Sequence, residues 1–554
     1  MNLSIPKSSD LPLLPHPIWF SPETGIYSSK HPPRPLPQNP DQDVVSFLFA
    51  KPHQGETALV HSQSGLSISY PELRSMVECM AAGLHRLGIS PGQLVLILLP
   101  NSVLFPVIVL GVLSAGAAIT TMNPLSSSQE IKKQMGTLDL TLVFTSSGKF
   151  GTLDELGVPL VAVPENHFYD PLQYPFFHRL LSCNPLLSRR HTIQQSDTAA
   201  ILFTSGTSGS SKGVVLTHGN FIAMIELFVR FEASQYEKQS WEDVYLAAIP
   251  MFHVYGLSLF VLGLLSLGST VVVMTRFEVL EAVRAIESFG VSHLPVVPPI
   301  MAALVRAKDD TGCELRSLKQ VSCGAAPLRQ KLIQDFLLRF KHVDLIQGYG
   351  MTESTAVGTR GFNTKSCKKY TSSGLLAPNM EAKVVDQQIG NCLPPGKIGE
   401  LWLKGSAIMK GYLNDEMETA SIIDKNGWLK TGDVGYFDHD GYLFIVDRLK
   451  DVIKYKGFQV APADLEAILT SHTEIIDAAV TSALDEVAGE IPIAFVVRKH
   501  DSNVSETDIM KYIANRVAPY KKVRKVIFVQ SIPRNPAGKI MRRALKNSNG
   551  VSRM

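Results

Sequence analysis

The segment richest in chemistry is Leu202-Phe-Thr-Ser-Gly-Thr-Ser-Gly-Ser-Ser-Lys-Gly-Val214. Glycines let successive backbone N–H groups turn inward, and Ser/Thr hydroxyls add further donors for phosphate oxygens. Lys212 brings a positive charge to the same loop. The pattern G-x-x-x-x-G-K-[ST] cannot be laid over Gly206, Gly209 and Lys212-Gly213, so this is not a Walker-type loop. A Ser/Gly surface linker has a similar composition. A linker, however, seldom follows an apolar strand directly and precedes another apolar run. Phosphate binding is the favoured reading.

Such a loop needs rigid elements on both sides, and the chain is long enough to supply them. Its 554 residues amount to several domains' worth of material, 45% of them hydrophobic and 19% charged. The 53 Lys+Arg against 50 Asp+Glu leave +3, which argues against a dedicated nucleic-acid binder. Six cysteines (79, 183, 313, 323, 367 and 392) form no C-x-x-C pair, so neither a zinc cage nor a disulfide framework is expected. Residues 87–129 and 244–275 carry no Asp, Glu, Lys or Arg. A membrane span needs about 20 apolar residues. The first stretch breaks at Pro100 and Pro106, and the second contains His253 and several glycines. No transmembrane segment is expected. They read as buried strand and helix: a strand at 94–99 and a helix at 105–119 in the first, a helix and then a strand at 271–273 in the second. Strand-like runs at 140–144 and 199–203 continue the alternation of an α/β domain. Runs at 401–403 and 442–446 read as short antiparallel strands. A basic tail beyond residue 447 shows a helix at 464–470 and strands at 478–482 and 493–497. The Pro-rich opening, residues 1–42, reads as an extended arm.

The loop resembles the nucleotide-binding signature of the adenylate-forming enzymes, which include acyl-CoA synthetases, luciferases and peptide-synthetase adenylation domains. Further matching segments follow in order: Pro250-Met-Phe-His-Val-Tyr-Gly256, Gln347-Gly-Tyr-Gly-Met-Thr-Glu-Ser354, Thr431-Gly-Asp433, Asp447-Arg448-Leu-Lys450, Ile453-Lys-Tyr-Lys-Gly-Phe-Gln459 and Asn535-Pro-Ala-Gly-Lys539. Within the group, Cys323-Gly-Ala-Ala-Pro327 and the residues from Tyr455 to Ala463 are most similar to plant 4-coumarate–CoA ligases and their ligase-like relatives. The resemblance implies an α/β fold. A large N-terminal domain (43–449) of stacked sheets would carry a small β-barrel-like subdomain, and a small mobile α+β domain (450–554) would follow.

It also implies roles. Thr204, Ser205, Gly206, Thr207, Ser208 and Lys212 would hold the phosphates of ATP, with Mg²⁺ near Glu353. Gln347, Gly348 and Thr352 would surround the adenylate, Asp433 and Arg448 would bind the ribose, and Lys454 and Gln459 would touch the adenylate. Lys450 would be the hinge and Lys539 the catalytic cation; Arg276, Lys456 and Gly457 would meet CoA. His253, Tyr255, Leu259, Ser322, Ala325, Gly348, Gly350 and Val357 would line an apolar acyl slot. Leu259, Ser322 and Ala356 depart from the hydroxycinnamate ligases, so fatty and cyclic oxylipin acids stand beside 4-coumarate as candidates. A luciferase-like oxygenase and a nucleotide-binding scaffold are the alternatives. The ending Ser552-Arg553-Met554 is similar to the S-K-L address read by a peroxisomal import receptor.

Overall fold

A run of apolar residues with no charge has to be covered on every side, and residues 94–98 are. Strand Leu94–Leu98 is buried along its whole length between parallel strands Ala118–Thr121 and Leu140–Thr145. Helix Leu104–Ser114 follows, apolar all round, and packs on helix Tyr70–Arg86. The approach is close: a Cβ on Gly111 would lie 2.3 Å from Met80 Cγ. The helix stops short of the sequence reading because Gly116 takes a left-handed φ of 82°, and the chain re-enters the sheet as Ala118–Thr121. Among the described residues no helix is long and apolar enough to cross a membrane.

The computed structural model describes residues 19–187, 191–205, 211–235, 239–326, 328–364, 367–449, 451–455, 458–485, 489–517, 519–535, 539–542 and 544–545. Two sheets form the body. A seven-stranded sheet runs from Gly411–Tyr412 through Ser211–Thr217, Thr198–Ser205 and the strands above to Leu160–Ala162. A nine-stranded sheet has parallel Gln320–Cys323 and Asp344–Tyr349 near one end, where Thr359–Arg360 is added antiparallel. One continuous apolar core joins both sheets. The subdomain expected to be barrel-like is an open, antiparallel six-stranded sheet and not a closed barrel. Residues of the opening arm belong to it: Ile26–Ser28 pairs with Glu381–Val385 and places Tyr27 in the core.

The C-terminal segment has its own sheet of five strands with helices Pro462–Thr470 and Glu506–Ala514, and a separate apolar cluster around Ile453, Leu465 and Val496. It touches the body through polar contacts. Arg329 pairs with Asp477 at 2.9 Å, and the Asp447 carboxylate accepts from Ala463 N–H at 2.9 Å.

Candidate functional site

Strand Asp344–Tyr349 organises the site, because successive side chains point to opposite faces. On one face the Tyr349 hydroxyl donates to Asp433 Oδ2 at 2.7 Å. Asp433 lies directly across the ladder from Arg448, whose Nε donates to Oδ1 at 2.9 Å. Burial and the Asp433 charge push the Tyr349 phenol well above its ordinary range, so it stays a donor. Gln347 shares this face and donates to the Tyr370 carbonyl at 2.6 Å. Beyond the strand, Thr352 and Glu353 begin a short turn. Burial raises the Glu353 carboxyl, whose Oε1 accepts from the Tyr412 hydroxyl at 3.0 Å.

The strands Thr198–Ser205 and Ser211–Thr217 form an antiparallel pair, with Lys212 opposite Thr204. Lys212 sits 5.1 Å from the Tyr412 ring centre and contacts Glu418. Gly206, Thr207 and Ser208 lie outside the described residues, as does the side chain of Ser205.

A cavity of about 870 Å³ opens beside these elements, and Lys212 and Asp433 are not among the residues that line it. Thr204, Gln347, Thr352, Glu353 and Arg448 line it, and so do Asn535 and Lys539 from the C-terminal domain. The Lys539 backbone is fixed by its N–H donating to Asn535 Oδ1 at 2.8 Å. Lys450, Lys456 and Gly457 lie outside the described residues. The backbones of Lys454 and Gln459 face each other in the C-terminal sheet, and their side chains are not described. Arg276 is exposed just after strand Thr270–Val273 and does not line the cavity.

The other face of the strand carries Ile346, Gly348 and, beyond its end, Gly350, all on the cavity wall. His253, Tyr255, Leu259, Ser322 and Ala325 line the same side. Two π-helical turns, Ile225–Arg230 and Leu257–Gly263, hold Phe228, Val229 and Leu259 against the cavity. Two expectations need correction. Val357 is fully buried in the core, and Ala356 lines the cavity in its place, at a φ of 63° that proline cannot adopt. The slot is also not simply apolar. Arg360 lies on its wall and pairs with Glu232, both side chains largely buried, while Tyr255 hydrogen-bonds Ser322 nearby. Ser258 Oγ and His253 Nε2 are buried without a partner among the described residues, and burial lowers the His253 imidazole.

Sequence reasoning passed over Tyr349, Tyr412, Glu418, Glu232 and Arg360. Tyr349 lies inside a quoted segment. Glu232 and Arg360 lie in no quoted segment, and they meet through tertiary packing.

Known proteins resemble the chain over most of its length. The AMP-binding enzyme family profile matches residues 48–413, and that for the AMP-binding enzyme C-terminal domain matches 464–539. The chain is 56% identical to 4-coumarate–CoA ligase-like 6 of Arabidopsis thaliana, over 97% of this chain and 96% of that one. It is 42% identical to peroxisomal OPC-8:0-CoA ligase 1 of the same plant, over 95% and 96%. Among solved structures, ATP-bound MatB from Rhodopseudomonas palustris superposes with a TM-score of 0.82 at 25% identity, covering 91% of this chain and 98% of that one. The o-succinylbenzoate CoA synthetase of Bacillus subtilis with its acyl-adenylate gives 0.77 at 27%, with 91% and 98% coverage.

Proposed function

The chain belongs to the AMP-binding enzyme family, and from that premise we propose that it is an ATP-dependent carboxylate–CoA ligase working in two steps. In the first, a substrate carboxylate oxygen attacks the α-phosphorus of ATP, the bond to the β-phosphate bridging oxygen breaks, and pyrophosphate leaves. In the second, the CoA sulfur attacks the acyl carbonyl, losing its proton, and AMP departs with the bonding pair. The first step depends on in-line placement and charge neutralisation, with no protein nucleophile.

The observation that carries the reading is the convergence of Lys539 with Thr352, Glu353 and Arg448 on one cavity. Lys539 places its cation where negative charge develops at the α-phosphate. Asp433, held by Tyr349 and Arg448, accepts from the ribose hydroxyls. Lys212, with the residues 204–208, holds the phosphates, and Gln347 and the backbone of Gly348 border the base, the open Cα side of Gly348 facing the acyl slot. Mg²⁺ takes one or two carboxylates plus substrate phosphates and water, a donor set that the single buried Glu353 fits. Bound there, it would neutralise phosphate charge. Lys450 is proposed as the pivot that exchanges Lys539 for the CoA-facing Lys456 and Gly457, with Lys454 and Gln459 turning toward the adenylate. Arg276, at the surface, is offered as a contact for the nucleotide end of CoA.

The acid is a hydroxycinnamate or a fatty or oxylipin acid. Ser552-Arg553-Met554 lies outside the described residues, and a peroxisomal ligase among the relatives supports a peroxisomal location. The test is CoA-dependent AMP release across hydroxycinnamic, C6–C18 and cyclopentenone acids, with Lys539→Ala alongside. Thioester formation that drops about a hundredfold in the variant is expected. Adenylate without thioester would indicate an oxygenase, and silence across the panel a scaffold.

A further inference from the structure

The pair Arg360–Glu232 is out of place in an acyl slot. Arg360 stands directly opposite Gly348 in the antiparallel ladder between Asp344–Tyr349 and Thr359–Arg360. Opposite residues share a face, so Arg360 belongs with Ile346, Gly348 and Gly350 and not with the nucleotide-side Tyr349. Glycine opposite leaves the space above it open: a Cβ on Gly348 would meet only the Thr359 carbonyl, at 3.4 Å. The guanidinium lies 5.4 Å from the Phe228 ring centre and contacts Glu232, one helical turn further along, with both side chains more than four-fifths buried. Met224 and Phe228, two and one turns before Glu232, line the cavity together with Arg360, while Glu232 is not among its lining residues and reaches it only through the guanidinium. The Tyr255 hydroxyl, bonded to Ser322, lies within the electrostatic reach of Arg360 and extends the polar seam.

Replacing a buried ion pair by apolar side chains is often neutral or stabilising, so stability alone does not account for it. Resting on the ligase reading, we propose that Arg360 and Glu232 select acids with an uncharged oxygen, a ketone or hydroxyl, on the acyl body away from the carboxylate. Arg360 donates to that oxygen, and Glu232 holds the guanidinium in place and compensates its charge. Glu232 already compensates Arg360, so the pair offers a second carboxylate no net positive charge in a desolvated slot, and such an acid is disfavoured. A site built around buried polar groups rejects an analogue that leaves them unmatched, because they have been desolvated for nothing.

The experiment compares kcat/KM for CoA-dependent AMP release with three acids of equal length: unsubstituted, keto- or hydroxy-substituted in the distal half, and terminally carboxylated. Wild type, Arg360→Met and Glu232→Gln are run together, with ATP-induced thermal shifts as a check on folding and nucleotide binding. Wild type should favour the oxygenated acid over the plain one at least tenfold, and Arg360→Met should bring that ratio within about threefold of unity. Glu232→Gln, which leaves the guanidinium uncompensated, should raise the dicarboxylate about tenfold relative to the plain acid. A plain-acid preference in wild type, or equal losses for all three acids in both variants, overturns the proposal while leaving the ligase reading intact. A dicarboxylate preferred by wild type does the same. ATP binding without turnover of any acid, or of a wider panel, defeats the ligase reading itself.

Discussion

Removing one oxygen atom tests the nucleotide side of the site. In Tyr349→Phe the ring that lines the cavity remains, and only the hydroxyl that donates to Asp433 Oδ2 at 2.7 Å is lost. Asp433 keeps Arg448 at 2.9 Å, so its charge stays compensated while one of its two oxygens is no longer held. A hydrogen bond to a charged group is worth about 1.5–3 kcal/mol. At about 1.4 kcal/mol per factor of ten, ATP affinity should fall roughly 10- to 150-fold if the bond orients the carboxylate for the ribose. The acid's KM should move less than about threefold, since the acyl wall is on the opposite face of the strand. Burial holds the phenol protonated, so the defect should be the same from about pH 6 to pH 9. Calorimetric titration of ATP, with the melting temperature recorded in parallel, reads it. An ATP affinity within twofold of wild type beside a lowered melting temperature would refute the reasoning, because the bond would then serve the fold alone. A defect confined to the acid would refute the assignment of faces.

Other consequences follow from buried charge. Burial raises Glu353, so its ionised form works against the apo fold above the folded-state pKa, and the penalty fades as pH falls toward the ordinary value of 4.5. Glu353→Gln should therefore raise the melting temperature at pH 7.5, have no such effect near pH 4, and abolish Mg²⁺-dependent adenylation; a lowered melting temperature at pH 7.5 would contradict this. His218 and His293 are both pushed down to about 4 by burial. Their contribution to stability is intact above 6.5 and is lost as pH falls from there toward 4, by about 3 kcal/mol each. His218→Asn should remove about half of that acid-dependent loss in denaturant titrations run at pH 7 and pH 4.5.

Much of the scaffold was legible because burial leaves a local mark. A strand covered on both faces shows as an uninterrupted apolar run, and Leu94–Leu98, Leu140–Thr145 and Thr198–Ser205 lie where such runs predicted them. The helix read through residue 119 ends at Ser114, because a single glycine at positive φ turns the chain without disturbing the apolar pattern. The π-helical turns at Ile225–Arg230 and Leu257–Gly263 carry no periodicity that a 3.6-residue template can detect. The quoted motifs led to Thr204, Gln347, Thr352, Glu353, Arg448 and Lys539, which do share a cavity. Tyr412 stayed hidden because it reaches Glu353 across a tertiary contact, and Arg360 because its partner Glu232 is specified by register and helix docking.

The same register explains why two glycines flank Tyr349, and it predicts that they are not equivalent. Gly348 and Gly350 both point to the acyl side, yet what a methyl group would meet differs. At Gly350 it would lie 2.4 Å from the Ala356 carbonyl oxygen and 2.6 Å from its carbon, backbone atoms of a turn already strained by positive φ at Thr355 and Ala356. That turn cannot yield cheaply, so Gly350→Ala should displace Thr352 and Glu353, lower the melting temperature and weaken adenylation of every acid. At Gly348 the methyl meets one carbonyl at 3.4 Å, an ordinary contact, and otherwise projects into the slot beside Arg360. Gly348→Ala should keep its melting temperature within about 2 °C and its ATP affinity within about twofold. It should discriminate against acids that fill the slot by about 10-fold, the effect of a group the size of one methylene in a tight pocket. Differential scanning fluorimetry and acid-panel kinetics on the two variants check the contrast. If Gly348→Ala lost ATP binding while acid preference held, the strand would face the other way and the acyl slot would lie elsewhere.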